Sequence, residues 1–192
     1  MAHLKYDEQL QKLFANVNDW LRFAEAKNFG LLSLNAAIVF GFTQTNFAEG
    51  SSIAKAGFYV FTPFAVISFF ITLISLIPIL SEIERTSRVK EWITKISALF
   101  GRERKFENIH YYGYLKDIDV AEFENKFLSK SGSTDPFTLF ESELGTQILY
   151  NSRITWLKYQ LFKIAASLFL LGFLAFLISV PIFENTKCDT VC

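Results

Sequence analysis

Three long stretches without a charged residue dominate the pattern of hydrophobic and polar positions along this chain. They run from Asn28 to Ala48, from Ala56 to Ser81 and from Ile164 to Phe183, and each is rich in apolar side chains. A helix needs about 20 apolar residues to cross about 30 Å of hydrocarbon, and each stretch reaches that length. The pattern therefore predicts a membrane protein with transmembrane helices at residues 28–48, 56–81 and 164–183.

Outside these stretches, apolar residues recur at three- and four-residue steps, which is typical of one face of a helix. The steps before the first stretch predict one long helix from about Asp7 to Phe42. The steps after the second stretch predict that the helix of that stretch kinks at Pro78 and continues to Gly101. The steps before the third stretch predict a helix that runs through that stretch and ends near Pro181. The apolar positions are Leu10, Leu13, Phe14, Val17, Leu21 and Ala24; Val89, Trp92, Ile93, Ile96, Leu99 and Phe100; and Phe137, Phe140, Leu144 and Ile148.

Turn and capping signals divide the region between the second and third stretches. Residues 106–115 hold three tyrosines and a glycine, which predicts a strand or an irregular loop. Asp119 followed by Glu122 predicts a helix N-terminus, and Asp135-Pro136 predicts the N-cap of the last helix. The predicted fold class is an all-α membrane protein whose three transmembrane helices extend into a cytosolic helical bundle with a small aromatic insertion.

Positive charge is distributed unevenly around the three stretches. Of the 19 Lys and Arg, four precede the first stretch and thirteen lie between the second and third, whereas Lys55 and Lys187 are the remaining two. Because positive residues concentrate on the cytoplasmic side of a membrane, the N-terminal helix 1–27 and the region 82–163 are predicted to be cytosolic. The tail 184–192 is then predicted to be periplasmic.

Small residues at helical spacing lie within two of the stretches. Ser33, Ala37 and Gly41 form one row in the first, and the third has another, and such rows let helices approach closely in a membrane. They predict that the first and third spans pack on their small faces. Since three spans are too few to enclose a wide pore, the chain is also predicted to form a homo-oligomer. The second row is Ala165, Gly172, Ala175 and Ser179.

The sequence carries no recognisable catalytic motif. The two histidines, His3 and His110, are isolated, and nucleophile elbows, phosphate-binding glycine loops and metal-ligand clusters are absent from the sequence. We therefore predict a protein that is not an enzyme, with no cofactor, no metal site and no nucleic-acid partner. Cys188 and Cys192 lie in the predicted periplasmic tail, where they either form a disulfide, with each other or with a neighbouring chain, or remain incidental thiols.

Polar residues follow two helix faces that the pattern otherwise makes apolar. They allow two interpretations: the side chains bond each other across a helix pair and fix its register, or they line a path for a ligand or ions. The residues are Glu25, Asn28 and Asn35 in the first helix, and Gln147, Asn151 and Lys158 in the last.

A basic cluster precedes the tyrosines of the central region. Together these residues predict a site that holds a phosphate and stacks a base. The alternative is ordinary positive-inside charge beside ordinary aromatic packing. The candidate ligand-binding residues are Arg102, Arg104, Lys105, Tyr111, Tyr112 and Tyr114.

Three short motifs resemble those of the Pycsar transmembrane effectors. The segment Ala24-Glu25-Ala26-Lys27-Asn28, followed by Leu31, Leu32 and Asn35, resembles the acidic-x-Lys element that leads into that family's first span. Gln147-Ile148, then Asn151-Ser152-Arg153-Ile154 and Lys158-Tyr159, resembles the segment that enters its last span. Tyr112-Gly113 is similar to its cytosolic aromatic-Gly element.

This resemblance implies a role in defence against phage. A partner pyrimidine cyclase would make cyclic CMP or cyclic UMP on infection, the cytosolic part would sense it, and the spans would impair the bacterial inner membrane, so that infection is abortive. The motif and coupling positions are then Glu25, Lys27, Asn28, Asn35, Gln147, Asn151 and Lys158. A second hypothesis is a structural membrane subunit that anchors or scaffolds a partner and gates nothing.

Overall fold

Helices make up most of the part of the chain that the computed structural model describes, residues 2–44, 52–77, 87–99, 106–132 and 135–188. Among these residues no strand occurs, so the all-helical prediction is confirmed and the strand alternative for residues 106–115 is wrong. That segment is irregular up to a single helical turn. The helices are α1 (Ala2–Gln44), α2 (Ser52–Leu76), α3 (Ser87–Leu99), α4 (Tyr112–Leu115), α5 (Val120–Ser131) and α6 (Leu139–Cys188).

Helix α1 is unbroken, as the spacing of its apolar residues predicts, and with 43 residues it is roughly 65 Å long. Helix α6 has 50 residues and continues past Pro181 to Cys188, beyond the predicted end. A proline inside a membrane helix is tolerated because neighbouring groups satisfy the backbone that it frees.

The start of α6 differs from the prediction. Thr138, not Asp135, is the N-cap: the Thr138 hydroxyl accepts a hydrogen bond from the Glu141 backbone N–H at 3.3 Å. The Glu141 carboxylate in turn accepts from the Thr138 backbone N–H at 2.6 Å and from its hydroxyl at 2.8 Å. This reciprocal arrangement is a capping box. It satisfies more helix-terminal groups than a lone aspartate cap, which explains why the helix begins three residues later.

The start of α5 agrees with the sequence signal. The Asp119 carboxylate accepts from the Glu122 backbone N–H at 2.7 Å, which is the predicted N-cap. Gly132 ends the helix with φ 72°, in the left-handed region that glycine adopts without strain. The predicted kink at Pro78, and the continuity of α2 with α3, lie outside the described residues.

Two compact units divide the chain. Unit 1 comprises Met1–Ala26 and Pro78–Gln160, and unit 2 comprises Lys27–Ile77 and Leu161–Cys192. The core of unit 1 joins the N-terminal half of α1 to α5, α6 and the segment before α5. Its buried members are Leu10, Leu13, Val17, Ile109, Leu115, Ile118, Phe123, Phe127, Ile148 and Leu149.

The core of unit 2 joins the C-terminal half of α1 to α2 and α6. It contains Leu31, Phe61, Ala65, Ala165 and Phe169, with the Phe61 and Phe169 rings edge to face at 5.7 Å. Many other large apolar side chains of this unit are exposed, as expected of surfaces that face lipid.

The small residues do not pack as predicted. A Cβ on Gly172 would lie 2.6 Å from the Phe64 Cβ, so the close approach at Gly172 is between α6 and α2. The row Ser33, Ala37 and Gly41 is exposed on α1. The prediction that the first and third spans meet on their small faces is therefore wrong, because a phenylalanine of α2 fills the groove at Gly172.

Among the described residues, two helices are long and apolar enough to cross a membrane, within Gly57–Leu76 and Leu139–Ile178. They overlap the second and third predicted spans. The first predicted span, 28–48, ends outside the described residues and stays a prediction.

Candidate functional site

The three candidate ligand-binding tyrosines occupy different environments in unit 1. Tyr112 is buried, and its ring stacks on that of Tyr159 with a centroid distance of 5.2 Å and an interplanar angle of 13°. Tyr111 and Trp20 complete this aromatic cluster, at 4.8 Å and 5.6 Å from the Tyr112 ring. Stacking against Tyr159 occupies one face of the Tyr112 ring, so Tyr112 acts as a core residue here.

Gly113 explains why an aromatic residue and a glycine occur together in this segment. The Tyr111 ring folds back over the Gly113 backbone, and any Cβ at that position would clash with the ring. Tyr114 is engaged elsewhere: the Lys126 ammonium donates to its hydroxyl and lies 4.7 Å from its ring centroid. Lys126 also pairs with Glu122 at 2.8 Å, which ties Tyr114 to α5.

An open cavity of about 600 Å³ lies beside Tyr111, and its other lining residues are Phe106, Glu107 and Asn108. The backbone around it is held in place by two hydrogen bonds. The Asn108 side chain accepts from the His110 N–H at 2.9 Å, and the Asn16 amide donates to the His110 carbonyl at 2.9 Å. Of the three tyrosines, Tyr111 is the one that this cavity exposes. Arg102, Arg104 and Lys105 lie outside the described residues.

Two polar contacts in unit 1 join α1 to α6. The Asn151 amide donates to the Asn18 side-chain oxygen at 2.8 Å, and the Lys158 ammonium donates to the Glu25 carboxylate at 2.6 Å. Both pairs are separated by 133 residues, so the two helices run in the same direction, and the pairs are one heptad apart. Such paired polar side chains specify register in parallel helix pairs. This geometry fits the register interpretation for Asn151 and Lys158, whereas Gln147 is exposed.

The last helix is also tied to the segment before α5. The Arg153 guanidinium donates to the Ile118 carbonyl at 3.2 Å, and the Lys116 ammonium lies 4.6 Å from the Trp156 ring centroid. The residues next to the cavity and the helix that carries Asn151 and Lys158 therefore belong to one packed unit.

Buried polar residues recur on one face of α1 and on one face of α2 in unit 2, and spacing aligns them in a column through the contact of Asn35 with Ser68. The Asn35 amide donates to the Ser68 hydroxyl at 3.1 Å and to the Leu31 carbonyl at 3.0 Å. The column, called the polar seam below, consists of Asn28, Asn35, Ser68, Thr72 and Ser75, each of them 0% exposed. Lys27 directly precedes Asn28 of the seam, and the Lys27 ammonium lies 5.7 Å from the Phe162 ring centroid.

The comparison with protein families decides the identity of this chain. A family model described as PycTM, Pycsar effector protein domain, matches residues 9–183, which is nearly the whole sequence. The chain belongs to the Pycsar effector family. No curated protein and no solved structure matches it. The Pycsar effector is thus an anti-phage defence protein of the membrane, and its family is associated with a cyclic-nucleotide system that includes a partner cyclase.

Sequence reasoning missed several residues of the Pycsar effector that the structure brings together. Asn18 stands seven residues before Glu25, so the heptad spacing of Asn151 and Lys158 was the signal that could have found it. Ser68, Thr72 and Ser75 are spaced by four and three in an apolar helix, which places them on one face. Trp20 had no such signal, because aromatic residues are common in this chain. Tyr159 appeared only as part of the motif Lys158-Tyr159, which did not indicate that it stacks on Tyr112.

Metal ligation finds no support in the described parts of the Pycsar effector, which hold no group of three or more His, Cys, Asp or Glu side chains able to surround an ion.

Proposed function

We propose that this Pycsar effector is a nucleotide-gated membrane protein without catalytic activity. Cyclic CMP or cyclic UMP, made by the partner cyclase on infection, binds unit 1. The three spans 28–48, 56–81 and 164–183 then rearrange and impair the inner membrane, so that the infected cell stops growing before the phage is released.

The observation that carries this proposal is that α1 and α6 each contribute residues to both units. A ligand shifts a conformational equilibrium only by its different affinity for the two states, so its site must include groups that move between them. In unit 1 the same two helices meet through the Asn18–Asn151 and Glu25–Lys158 pairs. A change in that pairing reaches unit 2 along continuous helices.

The cavity beside Tyr111 is the best supported ligand site. Its volume of about 600 Å³ is within the range of small-molecule pockets, and the partly exposed Tyr111 ring offers a stacking surface for a pyrimidine. Arg102, Arg104 and Lys105 come one to four residues before Phe106, close enough along the chain to supply the charge that a cyclic phosphate requires.

In the membrane, the proposed arrangement is multi-pass with a cytoplasmic N-terminus, and it is supported by the concentration of Lys and Arg before the first span and between the second and third. The row Ser33, Ala37 and Gly41 supports a homo-oligomer, because it is exposed in the part of the chain that the structure describes and small residues let a second helix approach closely.

The test combines calorimetry with leakage of a small dye from proteoliposomes. Cyclic CMP or cyclic UMP is expected to bind the parent protein and to release dye. Tyr111→Ala, and the triple alanine variant of Arg102, Arg104 and Lys105, are expected to lose binding. Asn151→Ala is expected to bind as the parent does and to release less dye, because this variant breaks the contact between α1 and α6 and leaves the ligand site intact.

Tyr150→Ala is the matched control, since Tyr150 is an exposed tyrosine of the same unit that lies outside the cavity. If the triple variant binds like the parent, Arg102, Arg104 and Lys105 are not part of the ligand site. A parent protein that binds no cyclic nucleotide would instead favour the scaffold hypothesis.

A further inference from the structure

The Asn35 side-chain oxygen and the Ser75 hydroxyl, both in the polar seam, have no hydrogen-bond partner among the described residues. Both residues are completely buried. An amide oxygen or a hydroxyl in a hydrocarbon environment is costly unless a partner satisfies it, and such groups in membrane helices face the interior of the protein or a hydrated cavity. The Asn35 oxygen and the Ser75 hydroxyl therefore face the interior of the protein and can each still form hydrogen bonds there.

Chain connectivity gives the direction of the seam. Asn35 contacts Ser68, and the seven residues between α1 and α2 are too few to return along the length of α2, so these helices are antiparallel. Moving seven residues back on α1 and seven forward on α2 brings Asn28 and Ser75 to the same level. The seam thus runs from the middle of unit 2 to the point where the uncharged stretch of α1 begins.

The spacing along α2 suits bridging by single molecules of water. Ser68, Thr72 and Ser75 are four and three residues apart, which separates their levels by about 6 Å and about 4.5 Å. One water molecule that bonds to two polar groups spans about these distances. Thr72 donates its hydroxyl proton to the Ser68 and Phe69 carbonyls at 3.0 Å and 2.8 Å, so its oxygen is left to accept.

We propose that the polar seam binds a column of water molecules, and that this column is the path by which small ions enter the membrane when the effector is active. Water supplies the donor that the Asn35 oxygen lacks and a partner for the Ser75 hydroxyl. Uncharged oxygen atoms of Asn, Ser and Thr are also suitable ligands for a monovalent cation that has lost part of its hydration. The second half of this inference rests on the proposed function; the first half does not.

Cysteine reactivity tests the hydration of the seam without any nucleotide. In a background with Cys188→Ser and Cys192→Ser, the variants Ser68→Cys and Ser75→Cys are reconstituted in vesicles of phosphatidylethanolamine and phosphatidylglycerol and treated with a small water-soluble methanethiosulfonate. Only the thiolate reacts, and an apolar environment raises the thiol pKa. Both seam cysteines are expected to react at least about tenfold faster than Ala65→Cys, which is equally buried but lies in the apolar core.

Ile67→Cys serves as a second control, because Ile67 is half exposed on the same helix. Seam cysteines that react as slowly as Ala65→Cys would overturn the inference. An equally fast reaction of Ile67→Cys would do so as well, since reactivity would then mark lipid exposure.

The ion path is tested by the flux of protons into vesicles that contain a pH-sensitive dye. Ser75→Ala and Asn35→Leu are expected to bind cyclic nucleotide like the parent and to reduce nucleotide-stimulated flux, whereas Ile67→Ala keeps it. Parental flux in both seam variants would overturn the path while leaving the proposed gating intact. Absence of flux in the parent would overturn the path together with the proposed function, and the cysteine rates would still decide the hydration.

Discussion

At the scale of single residues, two ion pairs of equal length show how burial changes the contribution of a contact to stability. Glu8 and Lys12 pair at 2.6 Å on the surface of α1, and Glu25 and Lys158 pair at 2.6 Å with the lysine side chain only 8% exposed. The hydrogen bond and the charge of Lys12 hold the pKa of the Glu8 carboxyl below its usual value. Water screens that pair, however, whereas a buried ammonium depends on its partner.

Glu25→Gln is expected to destabilise the protein more than Lys158→Met. Removing the carboxylate takes the counter-charge from a buried ammonium, and we expect a loss of about 1.5–3 kcal/mol in the free energy of unfolding, the range for a hydrogen bond to a charged group. Removing the ammonium leaves Glu25, which is half exposed and can be hydrated, so the loss is smaller. Thermal unfolding in detergent, followed by circular dichroism, measures both.

Glu8→Gln is the matched control, because it breaks a pair of the same length in full contact with water, and we expect its unfolding temperature to equal that of the parent. Equal losses in Glu25→Gln and Glu8→Gln would show that the Glu25–Lys158 pair contributes no more than a surface contact.

At the scale of helices, two glycines in uncharged stretches have opposite surroundings. A Cβ on Gly172 would overlap Phe64 of α2, whereas a Cβ on Gly41 would meet nothing within 4 Å. Close packing tolerates extra atoms poorly, while alanine is a better helix former than glycine wherever there is room. The two positions therefore separate a close contact between helices from an open helix surface.

Gly172→Ala is expected to lower the free energy of unfolding by about 1–3 kcal/mol, because α2 and α6 must move apart to admit the methyl group. Gly41→Ala is expected to leave the unfolding temperature unchanged or to raise it. Thermal unfolding of both variants in the same detergent is the measurement, and a Gly172→Ala variant as stable as the parent would contradict the close contact with Phe64.

Much of this helical architecture could be predicted from the sequence, because apolar residues that recur at three- and four-residue steps over a long segment indicate a helix without information from the rest of the chain. The unbroken α1 and the cap at Asp119 follow from residue spacing and backbone preference. The partners of the small residues could not be predicted, since a groove at Gly172 fits a side chain from any neighbouring helix. The same holds for Tyr112, whose burial depends on Tyr159, a residue distant in the sequence.

At the scale of the whole molecule, the direction of the helices constrains the topology. The constant separation of 133 residues makes α1 and α6 parallel in unit 1. If both continue across the membrane, their C-terminal ends emerge on the same side. This agrees with the small number of basic residues after each of these two spans.

An impermeant thiol reagent is expected to label reduced Cys188 in intact spheroplasts, because residues 184–192 are periplasmic in the proposed topology. A cysteine introduced at Lys130 of α5, in a background with Cys188→Ser and Cys192→Ser, is the control for the opposite side and is expected to react only in inverted vesicles. Labelling of Cys188 in inverted vesicles alone would contradict the three-span arrangement.

The equal separation of the two polar pairs also couples the lengths of α1 and α6. One residue inserted between Asn18 and Glu25 turns the rest of α1 by about 100° and carries Glu25 away from Lys158. A seven-residue insertion in α1 alone restores the angle but shifts the level by roughly 10 Å, so that one pair is still lost. Both polar pairs are kept only if seven residues are also inserted between Asn151 and Lys158 in α6. Two segments far apart in the gene can therefore change length only together, and natural variants of this protein should gain or lose whole heptads in both helices at once.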